Sequence, residues 1–263
     1  MKKNILQLIK TGALIMTFSI MAGCGQKTEA VITTDGEEMT DPVKQYETLS
    51  ESHADKFTYK DLTVGKVKYH MTEQQVIAVL GNPVTVYDST EKSVAENMLA
   101  EKVYSYNDLT LIFTKEKDDY LLTAAASTSD QDIFSRGIKV GDNLDTLLNL
   151  YYRDADCMNN YWYSEDKTAV LGKYLYGDYT MDDLEKIKST DQVSYGVINF
   201  NGETSMETAQ TYIAEFTCFQ PPYSGPYATV NDDFAQMAFD IDNNGVITAI
   251  RWYYYPEEDN KIN

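Results

Sequence analysis

Val67-Lys68-Tyr69-His70-Met71-Thr72-Glu73-Gln74-Gln75-Val76-Ile77-Ala78-Val79-Leu80-Gly81 reads as an extended pair leading into a capped helix. Thr72 is the expected N-cap, and Gln75 three positions on completes a capping box. Val76, Val79 and Leu80 make one apolar helical face. Gly81-Asn82-Pro83 ends it, because glycine suits the left-handed cap and proline cannot continue a helix. Gly137-Ile138-Lys139-Val140-Gly141-Asp142-Asn143-Leu144-Asp145-Thr146-Leu147-Leu148-Asn149-Leu150-Tyr151 runs in the same order. Thr72 aligns with Asp142, and Leu80 with Leu150. Asp142 with Asp145 is a looser start, and Leu144, Leu147, Leu148 and Tyr151 form the apolar face.

Matching extended runs follow each helix. Phe113-Thr114-Lys115-Glu116-Lys117-Asp118-Asp119-Tyr120-Leu121-Leu122-Thr123-Ala124-Ala125 reads as strand, polar turn, strand. So does Phe239-Asp240-Ile241-Asp242-Asn243-Asn244-Gly245-Val246-Ile247-Thr248-Ala249-Ile250. Further extended runs lie upstream, Lys102 to Tyr106 and Thr211 to Phe219. The expected class is α+β, with two helix-plus-antiparallel-meander units at 57–130 and 131–256. The second carries an insertion at about 152–200 that includes a helix from Thr180 to Ser189. Residues 257–263 are a tail.

This layout resembles the beta-lactamase-inhibitor-protein-like fold, and the small lipoprotein of the outer-membrane barrel-assembly machine, which has a single such unit. The resemblance covers about a third of the mature chain and rests on the two helix stretches and the turn with Phe239 and Gly245. It implies a helical layer on one face of a sheet, with two units forming a continuous concave surface. It is an analogy of fold and assigns no activity.

At the N-terminus Lys2, Lys3 and Lys10 precede an uncharged apolar run from Thr11 to Ala22. That is a signal-peptide pattern, shorter than the roughly 20 residues a membrane span needs. Met21-Ala22-Gly23-Cys24 resembles a bacterial lipobox, with Met21 where leucine is usual. The resemblance implies cleavage after residue 23 and lipidation of Cys24; a plain secretory signal is the alternative. Lipid would hold the chain on an extracytoplasmic membrane face of the cell envelope. Residues 24–56 are then the lipidated cysteine and an acidic, flexible tether.

The chain has 22 basic and 41 acidic residues, net −19. Losing residues 1–23 removes three lysines and no acid, so the remainder is more negative still. Such charge argues against nucleic acid and against electrostatic attachment to anionic lipid. It suits solubility beside a polyanionic envelope, and is compatible with a basic partner or divalent cations.

Beyond Cys24, two cysteines remain, Cys157 and Cys218. An oxidising compartment and an even pair favour a disulfide tying the insertion to the second unit. Closing a loop of about 60 residues is worth roughly 4 kcal/mol in the chain-entropy model. Two buried thiols acting as small hydrophobes are the alternative.

No catalytic residue is expected. The two histidines, His53 and His70, stand near no nucleophile motif, and His70 reads as a loop residue. No His/Cys cluster has zinc spacing, and no metal or cofactor is expected. Asp240-x-Asp242-x-Asn244-Gly245 starts like a calcium loop, but its twelfth position is Arg251 and its flanks read as strands, so a hairpin turn is expected. Paired carboxylates for sugar hydrolysis are compatible with 41 acids.

The aromatic residues carry the functional expectation. Tyr161, Trp162 and Tyr163 lie in the insertion, with Tyr174, Tyr176 and Tyr179. Tyr223 and Tyr227 lie in a Pro-rich loop. Trp252-Tyr253-Tyr254-Tyr255 ends the last strand, where alternation puts Trp252 and Tyr254 on one face and Tyr253 and Tyr255 on the other. One set should lie away from the helical layer, where tyrosine and tryptophan are interface material. Packing beneath the insertion is the alternative. The expected partner surface comprises Tyr161, Trp162, Tyr163, Tyr223, Tyr227, Trp252 and Tyr254. The expected function is binding of an envelope or secreted protein or another envelope component by a membrane-anchored module. Inhibition of a secreted hydrolase such as a beta-lactamase, and a carboxylate-based envelope hydrolase, are the alternatives.

Overall fold

The structure, a computed structural model, describes residues 52, 54–88, 101–116, 118–155, 157–164, 166–177, 187–188, 193–203, 208–221 and 233–255. The chain divides into Met1–Asp41 and Pro42–Asn263, and every described residue belongs to the second unit. Cys24, the tether through residue 51, the helix expected from Thr180 to Ser189 apart from residues 187–188 (which are not helical), Tyr223, Tyr227 and the tail lie outside the described residues.

The architecture is α+β, dominated by one antiparallel sheet. A short hairpin, β1 (Thr63–Val64) and β2 (Val67–Lys68), leads into helix α1 (Glu73–Leu80). Strands β3 (Thr85–Asp88), β4 (Glu101–Tyr106), β5 (Leu109–Glu116) and β6 (Asp119–Ser127) follow, then helix α2 (Leu144–Leu150). The remaining strands are β7 (Tyr161–Tyr163), β8 (Val170–Tyr176), β9 (Val193–Asn199), β10 (Thr211–Phe219), β11 (Phe234–Asp242) and β12 (Ile247–Tyr255). Among the described residues, ten strands form a single sheet in the order β3-β4-β5-β6-β12-β11-β10-β9-β8-β7. The β6–β12 pairing, with Ala125 opposite Trp252, makes the sheet continuous across the two expected units. The insertion supplies β7, β8 and β9, which extend the sheet at one edge. Among the described residues, no helix is long and apolar enough to cross a membrane.

Both helix starts form as local chemistry dictates. Thr72 Oγ1 accepts from Gln75 N while Gln75 Oε1 accepts from Thr72 N, the expected reciprocal box. In α2 the cap is Asn143, whose Oδ1 accepts from Thr146 N, one residue later than the expected Asp142. Asp142 turns back instead to accept from Lys139 N. Leu144, Leu147, Leu148 and Tyr151 are buried as expected. In α1 only Val76 is fully buried, and Val79 and Leu80 are exposed, so the expected face is narrower.

The core lies between the helices and one sheet face. Across that face runs Tyr104–Leu111–Ala125–Trp252–Met237–Phe216–Gly196–Tyr176, one residue from each of eight strands. A Cβ on Gly196 would come within 2.9 Å of the Phe216 and Tyr176 rings, so that position is closed to larger residues. Phe57 is fully buried against Tyr151 and Phe216, and contributes about 1.5–3 kcal/mol by burial alone.

The N-terminal segment straps across the second half. Ser52 N donates to Arg153 O, Tyr152 N to Asp55 O, and Phe57 N to the Tyr176 hydroxyl. Arg136, at φ 58°, holds the strap down. Its guanidinium donates to Asp55 O, Lys56 O and Leu150 O and pairs with Asp61, with its carbon 4.1 Å from the Tyr151 ring centre.

Candidate functional site on the far face of the sheet

Strand alternation sends each residue next to a core residue to the opposite face. Trp252 is fully buried and Tyr254 nearly so, and both belong to the helix-side core. The expectation that they form a partner surface is therefore corrected. Tyr254 packs on Tyr69 and His70, and its hydroxyl donates to Asp233 Oδ2 at 2.8 Å. His70 closes that cluster, with Nε2 3.4 Å from Glu116 Oε1. Tyr253 and Tyr255 are the set that lies away from the helices.

Two register rows place the far-face residues. One is Val103–Ile112–Ala124–Tyr253–Gln236–Thr217–Tyr195, and the next is Ser105–Thr110–Ala126–Arg251–Ala238–Glu215–Val197–Tyr174. Ile112, Phe219, Phe234 and Tyr253 are buried, yet none belongs to the helix-side core. Phe219, Phe234, Tyr255 and Tyr253 form a ring ladder with successive centres 5.3, 4.2 and 5.9 Å apart.

Within this apolar frame sits a polar centre. Arg251, 3% exposed, donates from Nη1 to Asp240 Oδ1 at 2.6 Å. Its Nε is buried without a hydrogen-bond partner, and so is the Tyr255 hydroxyl. An unmade bond at a buried polar group costs about 1–3 kcal/mol. Glu215 lies across Ala238 from Arg251 and keeps partial solvent contact. Burial raises its carboxyl above the usual range; Arg251 opposes the shift and Asp240 adds to it. Burial likewise pushes the hydroxyls of Tyr195 and Tyr253 up to about 12, so both stay neutral donors. Small side chains, Ala124, Ala126, Ala238 and Ala249, share this face with Arg251 and Glu215.

The remaining expected residues divide. Trp162 lies in register with Gly172, Asn199 and Ile213 on the far face at the sheet edge, its ring 6.4 Å from Tyr174. Tyr161 and Tyr163 point the other way and are exposed, with Lys173 Nζ 4.9 Å from the Tyr161 ring centre. Cys157 and Cys218 are both free and buried, which corrects the expected bridge. Cys157 sits in a turn beside Arg153 and Asp154, whereas Cys218 sits in β10 beside Tyr59. Desolvation raises both thiols, and they pack as small hydrophobes.

The acidic Asp240-to-Gly245 stretch builds a hairpin turn. Asp242 Oδ1 accepts from Asn244 N and Val246 N, and Gly245 takes φ 77°. Among the described residues, no group of three His, Cys, Asp or Glu side chains is placed to hold a metal ion. Sequence did not single out Tyr195 or Glu215, and named Arg251 only as the residue that breaks the calcium-loop pattern, since each is an ordinary residue until register brings three strands together.

No family model matches this chain, and no curated protein or solved structure matches it either.

Proposed function

We propose that the chain is an exported lipoprotein, anchored through Cys24 to an extracytoplasmic membrane face, that binds an envelope component on the far face of its sheet. Support for the anchor is the sequence Met21-Ala22-Gly23-Cys24 behind a charged and then apolar leader. The observation that carries the binding reading is the polar centre itself. The buried polar atoms that lack partners on this face include Arg251 Nε and the Tyr255 hydroxyl, beside the half-buried Glu215 and Tyr195. Sites of this kind combine an apolar and aromatic lining with a few polar groups that fix orientation. We also read the sheet as two helix-plus-meander units of the beta-lactamase-inhibitor-protein-like kind. Each helix cap bridges to the hairpin behind it, Thr72 to Leu121 and Asn143 to Val246.

Hydroxyl-radical footprinting in solubilised envelope extract tests the binding surface. Tyr195 and Tyr255 should lose labelling, while Tyr161 and Tyr163 on the other face keep theirs. Protection confined to Tyr161 and Tyr163 would move the binding surface to the edge strand and overturn the proposal.

A carboxylate hydrolase is the second reading, favoured by the raised Glu215 carboxyl beside Asp240. Against it, Asp240 is held in the Arg251 ion pair. Hydrolysis of wall fragments that disappears in Glu215→Gln would establish it.

A further inference from the structure

We infer that β7 is a pairing edge for a second copy of this chain, antiparallel about a two-fold axis at Trp162. Tyr161 then lies opposite Tyr163 of the second copy, and the two Trp162 residues lie opposite each other. This surface is separate from the far-face centre and stands whether or not that centre binds a ligand.

β7 ends the sheet and pairs on one side only, with β8. Its hydrogen bonds fix which backbone groups point outward. Tyr174 N donates to Asn160 O and Ser164 N donates to Ala169 O, each at 2.8 Å. Backbone direction alternates along an antiparallel strand. Asn160, Trp162 and Ser164 therefore address β8, and the N–H and C=O groups of Tyr161 and Tyr163 point to the open edge. Neither residue has a backbone partner on that side among the described residues. At the opposite edge, Tyr87 and Asp88 of β3 already take part in other interactions.

Sheet edges are ordinarily blunted by charge, proline or a bulge. Asn160 to Ser164 contain no charged residue and no proline. The register shift at this junction leaves Leu171 of β8 as the extra residue, since Trp162 faces Gly172 and Tyr163 faces Val170, so β7 keeps its alternation. Tyr161 and Tyr163 are 41% and 48% exposed. An open, uncharged aromatic edge of this kind is a template for strand addition.

Self-complementarity selects a second copy as the occupant. A two-fold contact needs a patch that fits itself. The outward residues, Tyr161 and Tyr163, flank Trp162 symmetrically, so a two-fold axis there makes both Tyr161–Tyr163 pairs hydrogen-bonded and exchanges N–H and C=O bonds in both directions. The two Trp162 residues become a non-hydrogen-bonded pair on the far face, with Cα atoms about 4.5 Å apart. Aromatic residues directly opposite one another stabilise such a junction. Charge selects the antiparallel sense. Asp166, in the turn after β7, is exposed and accepts from Ser164 Oγ and Thr168 N within that turn. The two-fold axis sets the two copies of Asp166 at opposite ends of the junction, whereas a parallel pairing would bring them side by side. The result joins two ten-stranded sheets edge to edge and uses up the β7 edge of each, so it closes at two copies.

Disulfide trapping of the purified full-length chain is the test. Cys24→Ser is carried throughout, which leaves the buried Cys157 and Cys218 as the native thiols. Trp162→Cys, Tyr161→Cys and Tyr163→Cys are oxidised separately, and each rate of covalent dimer formation is divided by the alkylation rate of the same thiol. A Cα spacing of about 4.5 Å lies within the disulfide range of roughly 4.4–6.8 Å, so the Trp162→Cys thiols can bridge. A Tyr161→Cys thiol meets position 163 of the second copy and not its own counterpart. Trp162→Cys should therefore dimerise roughly tenfold faster, or more, than either of the others alone. An equimolar mixture of Tyr161→Cys and Tyr163→Cys should outpace both. Adding Tyr163→Pro to Trp162→Cys removes an outward N–H, leaves the ladder to β8 intact, and should abolish the excess. Sedimentation of the natural sequence needs no introduced cysteine and should show a concentration-dependent dimer that Tyr163→Pro lacks. Equal rates at the three positions, an excess that Tyr163→Pro leaves untouched, or a natural sequence that sediments like Tyr163→Pro at every concentration would each overturn the inference. The edge would then be left to an extended segment of another protein. The pairing belongs to the purified chain as much as to the chain in envelope extract, so the footprint contrast between Tyr195 and Tyr161 is independent of it.

Discussion

Arg136 and Asp61 meet at two points, Nε to Oδ1 and Nη2 to Oδ2, each 2.8 Å. This fork joins the turn before α2 to the N-terminal strap, and the Asp61 side chain is only 8% exposed. Removing one partner of a buried pair leaves the other charge uncompensated, at about 3–5 kcal/mol. Arg136→Ala should therefore lose stability on that scale in urea unfolding. Arg136→Lys keeps the charge but not the fork, and should fall between the two.

The thiols give a second expectation. Cys157 and Cys218 are free, buried and raised by desolvation, and the thiolate is the reactive form. Alkylation of the native protein without reductant should leave both unmodified. The same treatment in denaturant, still without reductant, should label both. Failure to label them in denaturant would mean a bridge, as the sequence alone predicts.

How far the sequence carried is clear from particular residues. The Thr72/Gln75 box and the turn at Asp242–Gly245 are short-range and were legible, because their hydrogen bonds close within five residues. The α2 start slipped by one residue, since Asp142 and Asn143 are both competent caps and only the structure chooses. The division of Trp252-Tyr253-Tyr254-Tyr255 into two faces was legible from alternation. Which pair meets the helices was not, because both pairs are aromatic and the answer lies in the pairing of β12 with β6 and β11. The Glu215–Arg251–Asp240 centre joins residues of three strands, and no local pattern marks it. The disulfide expectation came from compartment and cysteine count, which speak to redox state and not to distance.

Glu215 gives a pH dependence. Its carboxyl pKa is raised from 4.5 in the folded chain, so folding disfavours the charged form. The resulting destabilisation is full above the folded value, declines as pH falls through it, and is gone below about 4.5. Glu215→Gln removes the charge at every pH. Its melting temperature should exceed that of the natural sequence at neutral pH, and the difference should shrink to nothing near pH 4. A constant difference across that range would mean that Glu215 titrates normally.

Tyr254 and Tyr255 are adjacent, yet β12 sends one to the core and the other to the far face, so the pair tests the central claim most directly. Tyr254→Phe loses the bond to Asp233 and should cost about 1 kcal/mol of stability, while Tyr255→Phe loses an unpaired hydroxyl and should gain a similar amount. The deciding measurement is the hydroxyl-radical footprint of Tyr195 in envelope extract for both variants. Protection of Tyr195 should persist in Tyr254→Phe and disappear in Tyr255→Phe. Equal protection in the two variants would contradict the assignment of binding to the far face.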